Sequence, residues 1–168
     1  MLRTSYLEAM GQAAATVTVV TTDGPAGRAG VTVSAMCSVS ADPPTLLVCI
    51  HHRSRACAAV PGNGRFCVNL LGDHQSEISD TFAGRLPAPG GDKFACARWR
   101  TLATGAPALE GALVALDCRL VAQLRQGSHS VFIGAVAEVA LGEGAPLVYA
   151  KRAYRNLGLP LDALVPAT

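Results

Sequence analysis

The chain has 168 residues, of which 50% are hydrophobic and 15% charged, and its formal net charge is +2. This length suits one domain with a full hydrophobic core, so we expect folding without a metal or a disulfide. The basic residues are scattered, and no segment approaches the ~20 apolar residues of a membrane span, so neither nucleic acid nor a membrane is an expected partner.

The first elements along the chain are a helix and a β-hairpin. Apolar residues at helical spacing predict an amphipathic helix over residues 4–13. Strands are predicted at Thr16–Thr22 and Arg28–Ser34, because both segments are rich in β-branched residues. The turn residues of Asp23–Gly27 separate them, which indicates a hairpin.

The next segment, Gly30–Ile50, is the most informative part of the sequence. It reads as a strand, a polar loop of small residues beginning at Ser34, and a second strand at Thr45–Ile50. Without large side chains, the backbone of such a loop can approach a flat ligand and offer N–H and C=O groups to its polar edge. The loop therefore suits a heteroaromatic ring.

A helix start follows this strand and has the character of an anion site. Ser54 is placed to cap a helix over Arg55–Val60, and Arg53 and Arg55 flank the cap. The first N–H groups of a helix are unpaired and its dipole is positive there, so a phosphate group is favoured. The competing interpretation is a plain helix cap beside two solvated arginines. The adjacent His51 and His52 are not expected to bind a metal.

The rest of the chain is predicted to be mostly β. Further strands are expected at Phe66–Leu71, Ala112–Gln123, Val131–Leu141 and Pro146–Tyr149, with a helix at Ser76–Phe82, a mobile loop at Arg85–Asp92 and a weakly ordered tail at Leu159–Thr168. Many short strands with few helices predict a mainly β fold, a β-barrel closed so that it has no sheet edges. The glycines of Gly24–Gly27 join two strands, so they do not form a Rossmann fingerprint.

The six cysteines show neither a CxxC pair nor a metal-binding spacing, and three of them lie in apolar runs. We expect reduced, mostly buried thiols in a cytoplasmic protein. The high apolar content favours burial of some surface against a second copy of the chain, so a homodimer is expected.

Several motifs occur in an order that resembles a known family. They are Val19–Thr22, Gly30–Pro44, Phe66–Leu71, Phe82–Gly84, Asp92–Phe94, Gly127–His129 followed by Val131–Gly134, and Pro146–Tyr149. Together they resemble the short flavin reductases of the flavin-reductase-like family, from about Met10 to Gly158. The resemblance implies the FMN-binding split barrel, a mainly β fold of Greek-key type with a few short helices. It also implies one domain over residues 1–168, with its core at about 10–158.

The activity implied by this resemblance is a homodimeric reductase that uses NADH or NADPH to reduce FAD or FMN. The reduced flavin would then leave for a partner flavin-dependent monooxygenase. The choice between the flavins and between the nucleotides stays open. Two other functions also stay open: a split barrel that holds FMN tightly as an electron carrier or sensor, and a dimeric barrel that serves as a scaffold for an oxygenase.

The resemblance also assigns roles to residues of this chain. Residues expected at the flavin are Ser34, Ala35, Met36, Cys37 and Ser38 along the ring, Ile50 and His51 at the strand end, Arg53, Ser54, Arg55 and Lys93 at the phosphate, and Phe82 and Gly84 on the other side. His129 is the catalytic candidate, facing the nicotinamide pocket that Tyr149, Arg152 and Tyr154 close. The structural alternatives are a core role for Phe82, a helix C-cap at Gly84, and a dimer interface for the tyrosines.

Overall fold

The computed structural model describes residues 1–157 of the chain. The α-helices are α1 (Leu2–Met10), α2 (Arg55–Asn63) and α3 (Ser76–Ala83), and short 3-10 turns occupy Pro89–Gly91 and Lys93–Cys96. The strands are β1 (Ala15–Thr16), β2 (Thr18–Thr22), β3 (Ala29–Val33), β4 (Met36–Ala41), β5 (Pro44–His51), β6 (Arg65–Leu70), β7 (Trp99–Thr101), β8 (Pro107–Leu109), β9 (Val114–Gln126), β10 (His129–Leu141), β11 (Val148–Ala150) and β12 (Ala153–Arg155).

Seven antiparallel strands form the main sheet, in the order β3-β2-β6-β9-β10-β5-β4. The connection through α2 carries the chain from β5 to β6, which lies beside β2 rather than β5, as in a Greek key. The fold is therefore mainly β, as predicted. The barrel is split rather than closed, because β3 and β4 end the sheet and are not paired with each other.

Apolar residues on the inner face of the sheet form the main core. Phe66 on β6 and Phe132 on β10 are fully buried there, together with Ile50 on β5. Gly134 on β10 makes this packing possible, since a β-carbon at that position would lie 2.5 Å from Cζ of Phe66. The register of β10 against β9 shifts at the same glycine.

A second apolar cluster lies beyond the sheet and is rich in aromatic rings. Phe82 of α3 packs edge-on against Phe94 at 5.2 Å and Trp99 at 5.5 Å, measured between ring centroids. The indole N–H of Trp99, which is half-buried, donates to the Phe94 carbonyl at 2.8 Å, so its polar group is satisfied. This cluster fixes the segment after α3 against the sheet.

Most predicted elements are confirmed, including the β2–β3 hairpin and the start of α2, while others need correction. Helix α1 begins at Leu2 rather than Thr4, the long strands β9 and β10 differ by a few residues at their ends, and β7, β8 and β12 were not predicted. The loop predicted from Ser34 onward is only a two-residue turn, because Met36–Ala41 pairs with β5 as an edge strand. The predicted tail at Leu159–Thr168 lies outside the described residues.

Within residues 1–157, no helix is long and apolar enough to cross a membrane. The same residues contain no cluster of three or more His, Cys, Asp or Glu side chains that could hold a metal ion.

Candidate active site

A groove runs along β3, which pairs only with β2 and leaves its other edge without a strand. Three adjoining cavities make up this groove, named here the basic cleft (about 490 Å³), the tyrosine pocket (about 140 Å³) and the helix-side pocket (about 400 Å³). The basic cleft is lined by Arg28–Val31, the tyrosine pocket by Thr32–Ser34, and the helix-side pocket by Ser34 and Ala35. The groove therefore follows β3 from one end to the other.

One wall of the basic cleft is the N-terminus of α2. The Ser54 hydroxyl accepts a hydrogen bond from the Ala56 N–H at 3.2 Å, which confirms the predicted cap. Arg53 and Arg55 are exposed on either side of it and line the same cleft as His51. The structure thus brings these predicted site residues together around a helix end that favours negative charge.

The opposite wall of the basic cleft carries two more cations. Lys93 donates a hydrogen bond from Nζ to the Phe82 carbonyl at 2.8 Å, and both residues line the cleft. The guanidinium carbon of Arg28 lies 3.9 Å from the centre of the Phe94 ring, a cation–π arrangement. Among the described residues, Asp92 is the only carboxylate that lines this cleft. Four cationic side chains therefore share the cleft with one acidic side chain, namely Arg28, Arg53, Arg55 and Lys93. The cleft is therefore suited to phosphate groups.

Sequence reasoning missed Arg28, although it follows a recognisable turn. Its position is set by Asn63, the last residue of α2, whose side chain is nearly buried. The Asn63 amide donates to the Gly27 carbonyl at 2.9 Å, and its oxygen accepts from the Ala26 N–H at 2.8 Å. A contact between two segments about 36 residues apart leaves no local signal in the sequence.

The tyrosine pocket is organised by one hydroxyl group. The Tyr154 hydroxyl lies 2.6 Å from Asp80 Oδ1 and 2.9 Å from Ser79 Oγ. Arg85 Nη1 reaches the same Asp80 oxygen at 3.2 Å, and the Tyr149 ring packs edge-on against Tyr154 at 5.6 Å. Partial burial, and then the hydrogen bond to Asp80, raise the pKa of Tyr154, so its hydroxyl stays a proton donor.

Arg152 reaches the groove from a tight turn. Lys151 and Arg152 join β11 to β12 and both have positive φ, at 51° and 60°. The Lys151 N–H donates to the Gly11 carbonyl at 2.8 Å, so the turn is tied to the end of α1. Arg152 and Ala35 both line the helix-side pocket, as does Met10 of α1. The structure thus adds α1 to the surroundings of the predicted site.

His129 lies at the start of β10, directly opposite His51 of β5. The two rings meet edge to face, with 4.9 Å between their centroids. The Arg53 N–H donates to Nδ1 of His51 at 3.0 Å, and Nδ1 of His129 lies 2.9 Å from the Ser128 hydroxyl. Since His51 lines the basic cleft, His129 stands beside the groove rather than in its lining.

The surroundings of His129 favour its neutral form. Desolvation is the main cause that lowers its pKa below the ordinary value, followed by the charges of His51 and His52. In the window between the lowered pKa and 6.5, the unfolded chain binds more protons than the folded chain. Folding therefore becomes less favourable as the pH falls through this window. At neutral pH the ring offers one N–H donor and one nitrogen acceptor.

Replacement His51→Ala is expected to raise the pKa of His129 toward its ordinary value, because it opens the ring to water and removes the unfavourable electrostatic interaction with a neighbouring imidazole. Titration of the His129 ring protons by NMR measures this shift. The control is His74→Ala, since the imidazole of His74 is exposed and lies near Asp73. If the pKa of His129 were unchanged or lower in the His51 variant, His51 would not be a cause of its lowered pKa.

Besides His129, five predicted residues do not line the groove. Ile50 is fully buried in the main core. Gly84 ends α3 in the left-handed conformation with φ of 76°, so it has the helix C-cap role that was the structural alternative to ligand contact. Met36 packs against the main core, while Cys37 and Ser38 are exposed on β4. For Met36, Cys37 and Ser38 the cause is the two-residue turn at 34–35, which ends the groove sooner than a long loop would.

Comparison with known proteins identifies the family of the chain. Residues 10–158 match the family model described as "Flavin reductase like domain". The chain belongs to the flavin-reductase-like family. Its groove is therefore the candidate active site of a flavin-reductase-like domain, and the match covers β3, α2 and α3, which contribute to the lining of that groove.

Relatives of this flavin-reductase-like chain include enzymes named for their substrates. It is 51% identical over 154 residues to "FMN reductase (NADH) RutF 1" of Methylorubrum extorquens strain PA1, covering 91% of this chain and 75% of the relative. The solved structure of the flavin reductase PheA2 is 31% identical with a TM-score of 0.86, covering 95% and 100% of the two chains. The styrene monooxygenase flavin reductase of Pseudomonas putida S12 is 28% identical with a TM-score of 0.82, covering 94% and 99%.

Proposed function

We propose that this chain is an NADH-dependent flavin reductase that reduces FMN or FAD and releases the reduced flavin to a partner monooxygenase. The observation that carries the proposal is the groove along β3, in which a cationic cleft adjoins a pocket lined by strand edge and tyrosines. The relatives support it, since one is named as an NADH-dependent FMN reductase and another as the flavin reductase of styrene monooxygenase.

The residues present fit the polar tail of a flavin. In this proposal the phosphate binds at the N-terminus of α2, where Arg53 and Arg55 supply charge and the helix dipole adds to it. Ser54 holds the first turn of the helix in place through its bond to Ala56. Lys93 faces the same space from the opposite wall, with two of its three ammonium donors free of the Phe82 carbonyl.

The ring of the flavin would then lie along β3 toward Ser34 and Ala35. The unpaired edge of this strand supplies backbone N–H and C=O groups to the polar edge of the ring, and small side chains allow close approach. The chemistry comes from the two substrates, because a nicotinamide gives a hydride directly to a flavin. The protein therefore has to bind, align and exclude water rather than donate or accept a proton.

His129 is proposed to orient the pyridine nucleotide beside the flavin. In its neutral form the ring carries one donor and one acceptor, so it can contact the carboxamide or the pyrophosphate of the nucleotide. Contact with His51 restrains the ring, and the hydrogen bond from the Arg53 backbone restrains His51 in turn. Tyr149, Arg152 and Tyr154 are proposed to close the nucleotide side of the groove.

A homodimer and a cytoplasmic location also belong to the proposal. Large apolar side chains are exposed on α1 (Leu2, Tyr6, Leu7 and Met10) and on β9 (Val121 and Leu124), which supports burial against a second copy. The six cysteines are free thiols, and burial followed by the charge of Asp117 raises the pKa of Cys118 to about 12. Unpaired, protonated thiols are typical of a reducing compartment.

The test is NADH oxidation by the purified chain with added FMN, FAD or no flavin, repeated with NADPH. We expect turnover that depends on flavin and is faster with NADH, from protein that is colourless after purification because the flavin is released. Protein that retains stoichiometric yellow flavin without oxidising NADH would instead identify a tightly bound electron carrier. Absence of any flavin binding would overturn the enzymatic proposal.

A further inference from the structure

The basic cleft has more positive charge than one flavin phosphate requires. Arg53 and Arg55 stand at the helix wall, while Arg28 and Lys93 stand opposite. In the part of the chain that the structure describes, neither Arg28 nor Lys93 forms an ion pair with a carboxylate. The second pair of cations is therefore available to a second anionic group.

Arg28 is held in a fixed position although its side chain is exposed. Its guanidinium lies over Phe94, and Phe94 is itself fixed between Phe82 and Trp99, with centroid distances of 5.2 Å and 5.0 Å. The hydrogen bonds of Asn63 hold the preceding turn. One face of the guanidinium is thus covered by an aromatic ring, while the cleft that Arg28 lines is open to a ligand.

The volume of the basic cleft also leaves room for a second anionic group. If the flavin ring follows β3 toward Ser34, only the ribityl chain and phosphate of FMN enter the basic cleft. A volume of about 490 Å³ falls within the ~300–1,000 Å³ range of complete small-molecule sites, so this short tail would leave much of it unfilled. The adenylyl half of FAD carries one more phosphate and a flat base, which suits the remaining space.

We infer that Arg28 is a specificity-determining residue that binds the adenylyl half of FAD, with Lys93 beside it. The guanidinium donates to the second phosphate and presents its flat surface to the adenine. This inference rests on the proposed function, because it assumes that the flavin phosphate nearer the ring binds at the N-terminus of α2. It adds that the chain distinguishes FAD from FMN at the wall formed by Arg28.

Binding titrations with the full chain test the inference independently of turnover. Quenching of flavin fluorescence gives Kd values for FAD, FMN and riboflavin with the unchanged protein and with Arg28→Ala. We expect the Kd for FAD to rise about tenfold and the values for FMN and riboflavin to stay within about twofold. Arg28→Lys keeps the charge but not the planar group, so an intermediate loss for FAD is expected. Arg119→Ala, an exposed arginine on β9, is the control.

Two outcomes would overturn the inference. Equal weakening of FAD and FMN by Arg28→Ala would assign Arg28 to the phosphate that both flavins share, and no change for either would remove it from the site. If the alanine variant does not fold, Arg28→Lys provides the test, since it should still weaken the binding of FAD more than the binding of FMN.

Steady-state rates separate this inference from the proposed function. If the unchanged chain oxidises NADH with FMN but Arg28→Ala leaves the FAD-to-FMN preference unaltered, only the inference fails. If no flavin supports oxidation, the proposed function fails. A rise in the KM for NADH, with flavin binding unchanged, would assign the second phosphate to the pyridine nucleotide and overturn the assignment to FAD.

Discussion

Replacement of both Arg53 and Arg55 by alanine is expected to raise the KM for FMN about 100-fold and to leave the KM for riboflavin within about threefold. The reason is that riboflavin lacks the phosphate. Each arginine can donate a charge-assisted hydrogen bond to that group, and one such bond corresponds to about tenfold in binding. Steady-state NADH oxidation at varied flavin concentration measures both constants.

The matched control removes two arginines elsewhere. Arg100 on β7 and Arg119 on β9 are exposed, so Arg100→Ala with Arg119→Ala changes the net charge equally. This pair should leave the KM for FMN within about threefold at moderate salt, because neither arginine lines the basic cleft and salt screens exposed charges. A loss that is equal for riboflavin and FMN in the Arg53 and Arg55 variant would show that the phosphate binds elsewhere.

Replacement Asp117→Ala is expected to lower the free energy of unfolding by about 2–4 kcal/mol. Asp117 on β9 is fully buried, and its carboxylate accepts hydrogen bonds from the N–H of Thr104 at 2.6 Å and from its hydroxyl at 2.5 Å. Thr104 is itself buried and lies in the loop between β7 and β8. Alanine leaves two buried donors without a partner, which costs more than the loss of an exposed bond. Urea denaturation measures the change.

A second carboxylate on the same loop provides the control. Glu138 on β10 accepts a hydrogen bond from the Ala103 N–H at 2.7 Å but is exposed. Water can replace this acceptor, so Glu138→Ala should cost less than about 1 kcal/mol. Similar losses in the two variants would mean that burial of Asp117 does not determine its contribution.

The sequence identifies the parts of the site that are local in the chain. Arg53, Ser54 and Arg55 are adjacent and precede an apolar helix, so cap chemistry alone predicts their arrangement. Arg28 and Arg85 were missed because their partners are distant in sequence: Phe94 lies beneath Arg28, and Tyr154 lies beside Arg85. Such contacts depend on how α3 and the following segment return to β3, which no local pattern records.

The strand β4 shows why small polar residues mislead a prediction from sequence. Ser38 and Ser40 have the composition of a loop, yet they lie on an edge strand whose side chains are largely exposed and need no apolar alternation. The same composition placed Met36, Cys37 and Ser38 in the predicted loop, whereas they lie on this strand. The strands β7 and β8 were missed because each has only three residues, too few for a period to be visible.

The hydrogen bonds of the Asn63 side chain have a consequence for the local stability of α2 when a ligand is bound. Its side chain joins the last turn of α2 to the segment that leads into Arg28, while Arg55 stands at the first turn of the same helix. Unfolding of α2 would therefore disconnect both sides of the basic cleft at once. By mass action, an anion held between those sides should protect this helix from local opening, most visibly as slower amide hydrogen exchange along it.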